Sequence, residues 1–228
     1  MTRLFVSPHL DDAVLSCGEL IASSPAALVV TVFAGRPTDR PITSWDAECG
    51  FGPDDDPIAA RRAEDRAALD ALGARSFWLD FLDDQYGAAR PAAAIAAALA
   101  EVVARERPDE VYVPLGLFHA DHRRASDAAL AVMLQFTALA WLAYADAIYR
   151  CIEGAVEERL RGLADAGILL VPTTLFHAAD GRARKREAVA CYASQLRGLH
   201  SRRHHDDVFA RETYWRVRRE RYDVPSSR

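Results

Sequence analysis

The sequence predicts an α/β fold in three layers, a mainly parallel sheet covered by helices on both faces. Three observations lead there. Short apolar runs that read as buried strands alternate with longer helical segments along the chain. At 228 residues, half of them hydrophobic, the chain is long enough to bury such a sheet in one domain. Its most polar short motifs fall directly after strands, where open α/β sheets gather their ligands.

The elements follow in order. Leu4–Ser7 is a buried strand, Pro8–Asp12 a polar loop and Ala13–Ser23 a helix. Ala27–Phe33 is a second strand. Gly35–Pro57 carries Gly, Pro and Asp with little periodicity and reads as a long loop, an insertion within the domain. Ile58–Leu72 is a helix ending at Gly73, a natural residue just past a helix C-terminus. Phe77–Leu79 is a strand, Ala92–Arg105 an Ala-rich helix stopped by Pro108, and Val111–Pro114 another strand. A helix runs from His122 to Leu134, strands are expected at Leu139–Tyr144 and Ile168–Leu175, and a last helix at Arg184–Leu196. Neither a repeat nor a low-complexity linker divides residues 1–228, so one domain is expected.

Composition narrows the function. A formal charge of −5 leaves no global footprint for nucleic acid. Arg216, Arg218, Arg219 and Arg221 read as a solvated helix face. Cys17, Cys49, Cys151 and Cys191 are scattered, without a CxxC, which fits reduced cytoplasmic thiols rather than a disulfide framework or structural zinc. The segment before His9 leaves no room for a signal-peptide apolar region. The apolar stretch Ala125–Ala145 carries Asp127 and Gln135 and reads as a buried helix and strand, so no integral membrane segment is expected.

Two constellations carry chemistry. Pro8-His9-Leu10-Asp11-Asp12 follows the first strand, and His119-Ala120-Asp121-His122 follows the strand at 111–114. Imidazole and carboxylate suit zinc and similar borderline metals. Together the clusters offer two His and one carboxylate, the donor number of a catalytic zinc with an open position, and leave a carboxylate and a His for acid–base work. His204-His205-Asp206-Asp207 has similar residue types but no strand before it, and His177 follows a strand. Trp45, Phe51 and Trp78 are candidates for an apolar wall, Trp78 more naturally for the core.

The stretch Ser7-Pro8-His9-Leu10-Asp11-Asp12-Ala13-Val14, with His119-Ala120-Asp121-His122 downstream, resembles the LmbE-like or PIG-L family of zinc-dependent N-deacetylases. That family acts on N-acetylglucosaminyl-phosphatidylinositol, on mycothiol and bacillithiol precursors and on some antibiotic sugars. Its usual first motif, Ala-His-Pro-Asp-Asp-Glu, is here Pro-His-Leu-Asp-Asp-Ala, which keeps the His and both Asp but loses the Glu. Arg62, Glu64, Leu72 and Gly73, the run Leu79–Asp83, the run Tyr144–Tyr149, and Lys185, Ala188, Tyr192, Ser194 and Gln195 resemble further family segments.

The resemblance implies a Rossmann-like fold and an amide hydrolase that removes an N-acyl group, acetyl above all, from an amino sugar or a small-molecule or glycoconjugate substrate bearing one. It implies one Zn2+ per chain, or another divalent metal such as Fe2+, held by His9, Asp12 and His122. Asp11 is then the general base toward a metal-bound water. His119 stabilises the oxyanion and protonates the amine, and Asp121 orients and charges His119. Arg62 and Asp83 would contact substrate hydroxyls, or else serve as an ion pair and a helix cap.

Two other readings fit some of these residues. His119-Ala120-Asp121 has the His-x-Asp spacing of two-histidine, one-carboxylate iron oxygenases. Those sites belong to all-β folds and would leave His9, Asp11 and Asp12 idle. A non-catalytic sugar-binding relative would lack a ligand or base, and none is lacking.

Overall fold

A computed structural model of the chain describes residues 1–39, 41–87, 91–200 and 205–219. Among the described residues seven strands form one sheet: β1 (Arg3–Ser7), β2 (Leu28–Thr31), β3 (Arg75–Trp78), β4 (Glu110–Pro114), β5 (Ala140–Tyr144), β6 (Ile168–Thr173) and β7 (Tyr214–Arg219). Their spatial order is β3-β2-β1-β4-β5-β7-β6. The first five are mutually parallel, whereas β7 runs antiparallel to both β5 and β6. The fold is therefore the expected α/β architecture with a mostly parallel, mixed sheet.

Eight α-helices among the described residues connect the strands: α1 (Asp12–Ala22), α2 (Ser44–Glu48), α3 (Pro57–Leu72), α4 (Ala92–Glu106), α5 (Ala120–Met133), α6 (Ala155–Asp165), α7 (Gly181–Ala190) and α8 (Ala193–His200). Strands β1, β2 and β4 are apolar and buried because both faces of the sheet are covered. On one face Leu4, Val30, Val111 and Val113 pack with Leu99 of α4 and Ala129 of α5. On the other Phe5, Val29 and Tyr112 pack with Leu20 of α1, Leu69 of α3 and Val189 of α7. Among the described residues no helix is long and apolar enough to cross a membrane.

The strand order reverses between β1 and β4. Chain leaving β1 builds one half of the sheet, and β4 and β5 build the other. A crevice opens at the carboxyl ends of two strands that diverge this way, and both polar motifs lie there.

Three expectations differ from the structure, and one helix lies where none was expected. The segment Gly35–Pro57 is not all loop: α2 lies inside it, closed by a capping box in which Thr43 and Asp46 bond to each other's backbone N–H. The helix expected at Arg184–Leu196 is two helices. Glu64 of α3 accepts the Ser194 N–H and hydroxyl at 2.8 and 2.6 Å, and the buried Tyr192 hydroxyl donates to Asp65 at 2.9 Å. These contacts hold the chain where it turns between α7 and α8. The Arg-rich tail is strand, not helix: Trp215 and Val217 are buried while Arg216 and Arg218 are exposed, a period of two. Arg221 lies outside the described residues. Helix α6 was not expected, although Val156, Leu160 and Leu163 recur at helical spacing and pack against the core.

Candidate metal centre

The loop after β1 is held by the Ser7 side chain at the end of that strand. The Ser7 hydroxyl donates to the His9 carbonyl at 2.6 Å and accepts the Ala13 N–H at 3.0 Å. This turns His9 over the sheet end and starts α1 at Asp12. The His9 N–H and Nδ1 lie 2.8 and 3.1 Å from Asp12 Oδ2. From the far side of the switch point, α5 brings His122 Nε2 to 3.1 Å from the same oxygen. One donor atom from each of His9, Asp12 and His122 falls within a span of 4.8 Å. His122 Nε2 is buried and, although 3.1 Å from Asp12 Oδ2, makes no well-directed hydrogen bond. A buried nitrogen left unsatisfied beside a carboxylate and a second imidazole fits a cation better than a hydrogen bond.

Each imidazole has a carboxylate behind it. His122 Nδ1 lies 2.6 Å from Asp146 Oδ1, both side chains being buried. His9 Nε2 lies 3.3 Å from Asp121 Oδ2. Carboxylates in this position fix the tautomer of a ligating histidine. Asp146 stands in the resembling Tyr144–Tyr149 segment, but its partner is 24 positions away in sequence, and no local signal reveals the pair.

Charge in the crevice is strongly organised. Burial works against a charged His122, but Asp12 and Asp146 outweigh it and push its pKa up to about 9. Burial likewise opposes charge on His9, and Asp83, Asp12 and Asp121 raise it well above the usual value. Burial would raise Asp12, yet His122 and His9 hold it well below the carboxylate range. Asp11 behaves oppositely. Burial, then the negative charge of Asp12, raises its carboxyl to about 7. Two adjacent carboxylates are thus driven apart, one held toward its ionised form and one poised near neutrality.

The remaining expected residues fall as follows. His119 lies beside both imidazoles, its ring centroid 5.2 Å from that of His9 and 5.7 Å from that of His122. Its Nδ1 accepts the Asp121 N–H at 3.2 Å, so the neutral ring carries its hydrogen on Nε2. Burial, with His9 and His122, lowers its pKa below the usual value, the reverse of the charging expected from Asp121. The Asp121 carboxylate instead meets Arg124 at 2.7 Å, the Asp84 N–H at 2.9 Å and His9. Those three groups take its hydrogen bonds, although one of its oxygens also lies within 4.8 Å of a His119 ring nitrogen.

Asp83 lines the cavity and lies 3.9 Å from His9 Nε2, while its oxygens accept both the N–H and the side-chain amide of Gln85. Arg62 does not reach the site. Its Nε and Nη2 donate to the Ala34 carbonyl at 3.0 and 2.6 Å, and its guanidinium stacks over Trp78. One residue is about 100° around a helix, and that step puts Arg61 in the cavity wall instead. Arg61 is buried, pairs with Asp46 of α2 at 2.9 Å and has an unpartnered Nε.

A cavity of about 360 Å³ opens from the histidines and is walled by Phe33, Trp45, Ile58, Tyr149 and Leu199. Phe51 lies under the Arg61 guanidinium, and Trp78 donates to Asp65. His177 is near Glu212, 3.7 Å away, in a different cavity. Of the segment His204–Asp207, His204 lies outside the described residues, and Asp207 binds Arg150 and the Ile148 N–H.

Residues 4–133 match the family model PIG-L, described as GlcNAc-PI de-N-acetylase. No curated protein matches the chain. Among solved structures, a triple mutant of the deacetylase Orf2* of the teicoplanin biosynthetic pathway is 30% identical, with a TM-score of 0.81 over 96% of this chain and 99% of that one. The A40926 pseudoaglycone deacetylase Dbv21 is also 30% identical, with a TM-score of 0.79 over 96% and 98%. A zinc-inhibited form of the teicoplanin deacetylase Orf2 is 25% identical, with a TM-score of 0.81 over 96% and 99%.

Proposed function

The chain belongs to the PIG-L family of de-N-acetylases, which are metal-dependent amide hydrolases, and from that premise we propose that it uses zinc to remove the acetyl group from an N-acetylated amino sugar carried on a glycoconjugate. The observation that carries this reading is the convergence of His9 and His122 on one oxygen of Asp12, with the carboxyl of Asp11 next in the chain. The description of the family model, GlcNAc-PI de-N-acetylase, supports the amino-sugar substrate, and the solved deacetylases at 30% identity support the deacetylation.

His9, Asp12 and His122 would hold the ion. When bound, zinc polarises a carbonyl and lowers the pKa of water to about 7. The chain's own residues supply the rest. Asp11, deprotonated near neutrality, accepts the proton of the attacking water. His119, neutral with its hydrogen on Nε2, donates a hydrogen bond to the carbonyl oxygen as negative charge develops, and the proton taken up by Asp11 passes to the leaving amine. Arg61 and Asp83, both in the cavity wall, meet sugar hydroxyls; Arg61 replaces Arg62 in this role. Phe33, Trp45, Ile58 and Leu199 reduce water access around the amide.

The test is acetate release from an N-acetylglucosaminide by the zinc-loaded protein, by the protein stripped with a chelator, and after zinc is restored. Release that disappears on stripping and returns with zinc is expected. Release indifferent to the chelator, or no release from any N-acetyl amino sugar, overturns the proposal.

A further inference from the structure

A second cavity, of about 770 Å³, opens at the edge of the sheet where β6 ends and β7 begins. Its walls come from the chain after β6, from Glu19 of α1, from Arg182 of α7 and from the run Phe209–Tyr214. None of these residues lines the cavity of the candidate metal centre.

One side of this cavity is polar and already satisfied. Glu212 is buried, and its carboxylate accepts from Lys185 Nζ at 2.8 Å and from the Tyr214 hydroxyl at 2.6 Å. It also accepts the N–H groups of Glu19 and Leu20 at 2.9 and 3.2 Å. Its charge is met by the Lys185 ammonium and its oxygens are occupied. His177 lines the cavity beside this carboxylate without bonding to it. The His177 Nδ1 atom is buried, lies 3.7 Å from Glu212 Oε2 and has no hydrogen-bond partner among the described residues. The ring is held there. The Ala178 N–H donates to Ser23 Oγ at 2.7 Å, and the ring leans on Tyr214, centroids 6.2 Å apart at 32°. A buried nitrogen kept this way at the edge of an open cavity calls for a partner from outside the chain.

The other side is cationic. Arg182 Nη2 donates to the Phe209 carbonyl at 3.2 Å, which ties it to the segment that carries Arg211 two positions on. Both arginines are exposed. With Glu212 paired to Lys185, they outnumber Glu19 in the wall, in a chain whose formal charge is −5. Guanidinium groups present a planar fork of donors that matches carboxylate and phosphate oxygens. Leu175, Phe209 and Tyr214 add apolar wall.

We infer that this cavity is a second ligand site, for a small organic anion whose acidic head meets Arg182 and Arg211 and whose apolar body carries a hydroxyl to His177. It goes beyond the deacetylase reading, because the ligand needs neither an acetyl group nor a sugar. A metal ion is not the occupant: among the described residues, the clusters of three metal-ligating groups both contain His9. A bare inorganic anion would leave His177 and the apolar wall unused.

The test is calorimetric titration of the zinc-loaded protein with 4-hydroxyphenyl phosphate, 4-hydroxyphenylacetate and the neutral 4-hydroxybenzyl alcohol. At least one anion should bind roughly ten- to a hundredfold more tightly than the alcohol, the scale of hydrogen bonds to charged groups. The tighter of the two identifies the head group. Arg182→Ala and Arg211→Ala change exposed side chains and should each weaken that anion about tenfold. His177→Phe keeps a ring and removes its nitrogens, so the hydroxylated anion should bind no better than its counterpart without the hydroxyl. An anion captured by the metal centre instead would bind both arginine variants as tightly as the parent, and that result overturns the site. So does an alcohol that matches the anions, a hydroxyl preference that survives in His177→Phe, or binding of none of the three.

Discussion

At the scale of single residues the site depends on carboxylates that differ only in surroundings. Asp11 and Asp12 are adjacent, yet burial raises one to about 7 while two imidazoles hold the other down. Asp11→Asn is expected to keep its metal and lose roughly 10²–10⁴-fold in turnover, the scale of one positioned base. Metal content measured beside kcat checks this, and an unchanged rate in metal-replete protein would sink the assignment. Asp146 should behave in the opposite way. Asp146→Ala removes the acceptor behind His122 and should weaken metal binding about 10–100-fold. Competition with a chromogenic chelator reads that directly, and affinity equal to the parent's would show that His122 needs no orienting partner. The local residue types and their place after strands were legible in the sequence. The choice between Arg61 and Arg62 was not, because it depends on the phase of α3 against β2, and the Ala34 carbonyl takes Arg62 away.

At the scale of elements, α2 is a short helix fastened to the site wall. Asp46 is fully buried and joins its own cap at Thr43, the Arg61 guanidinium and the Tyr86 hydroxyl. Through it α2, α3 and the turn Asp84–Tyr86 hold together, with Trp45 facing the cavity. Asp46→Ala leaves a buried guanidinium without its counter-ion and should cost about 3–5 kcal/mol. Urea unfolding measures that loss, and a cost below about 1 kcal/mol, the value of a surface pair, would mean that α2 is not anchored this way. The sequence showed a Gly-, Pro- and Asp-rich stretch here and no periodicity. Five residues of helix are too few to display a pattern, and the capping box is visible only once its partners are known. The reverse error occurred at β7, where alternating Arg and apolar residues have a strand's period but were read as a helix face.

At the scale of the whole molecule, buried polar links tie the helical layer of one sheet face together. Asp65 on α3 accepts from Trp78 Nε1 at 2.7 Å and from the Tyr192 hydroxyl at 2.9 Å, joining α3 to β3 and to the junction of α7 and α8. Burial raises its carboxyl from 3.8 to about 6, with the two hydrogen bonds opposing. A carboxyl whose folded pKa lies above its unfolded value binds more protons in the folded state. Stability therefore falls as pH rises from about 4 to about 6 and is level above that. Two pKa units correspond to about 3 kcal/mol. Asp65→Asn removes this dependence, so its stability relative to the parent should improve by up to that amount between pH 4 and pH 8. A relative stability constant over that range would contradict the buried, titrating Asp65.

The same scale separates what sequence alone determined from what it could not. Apolar runs, helix breaks and motif positions are local, and in a parallel α/β sheet they suffice to put His9, Asp11 and Asp12 after β1 and His119 and His122 after β4. They also suffice for the resemblance to the deacetylases. What faces what across the switch point is not local. That His9 and His122 share Asp12, that Asp121 backs His9 and that Asp146 backs His122 all depend on β1, β4 and β5 lying side by side with one register. Side-chain direction follows helix phase and strand pairing between segments up to 112 positions apart. Only the folded sheet sets those.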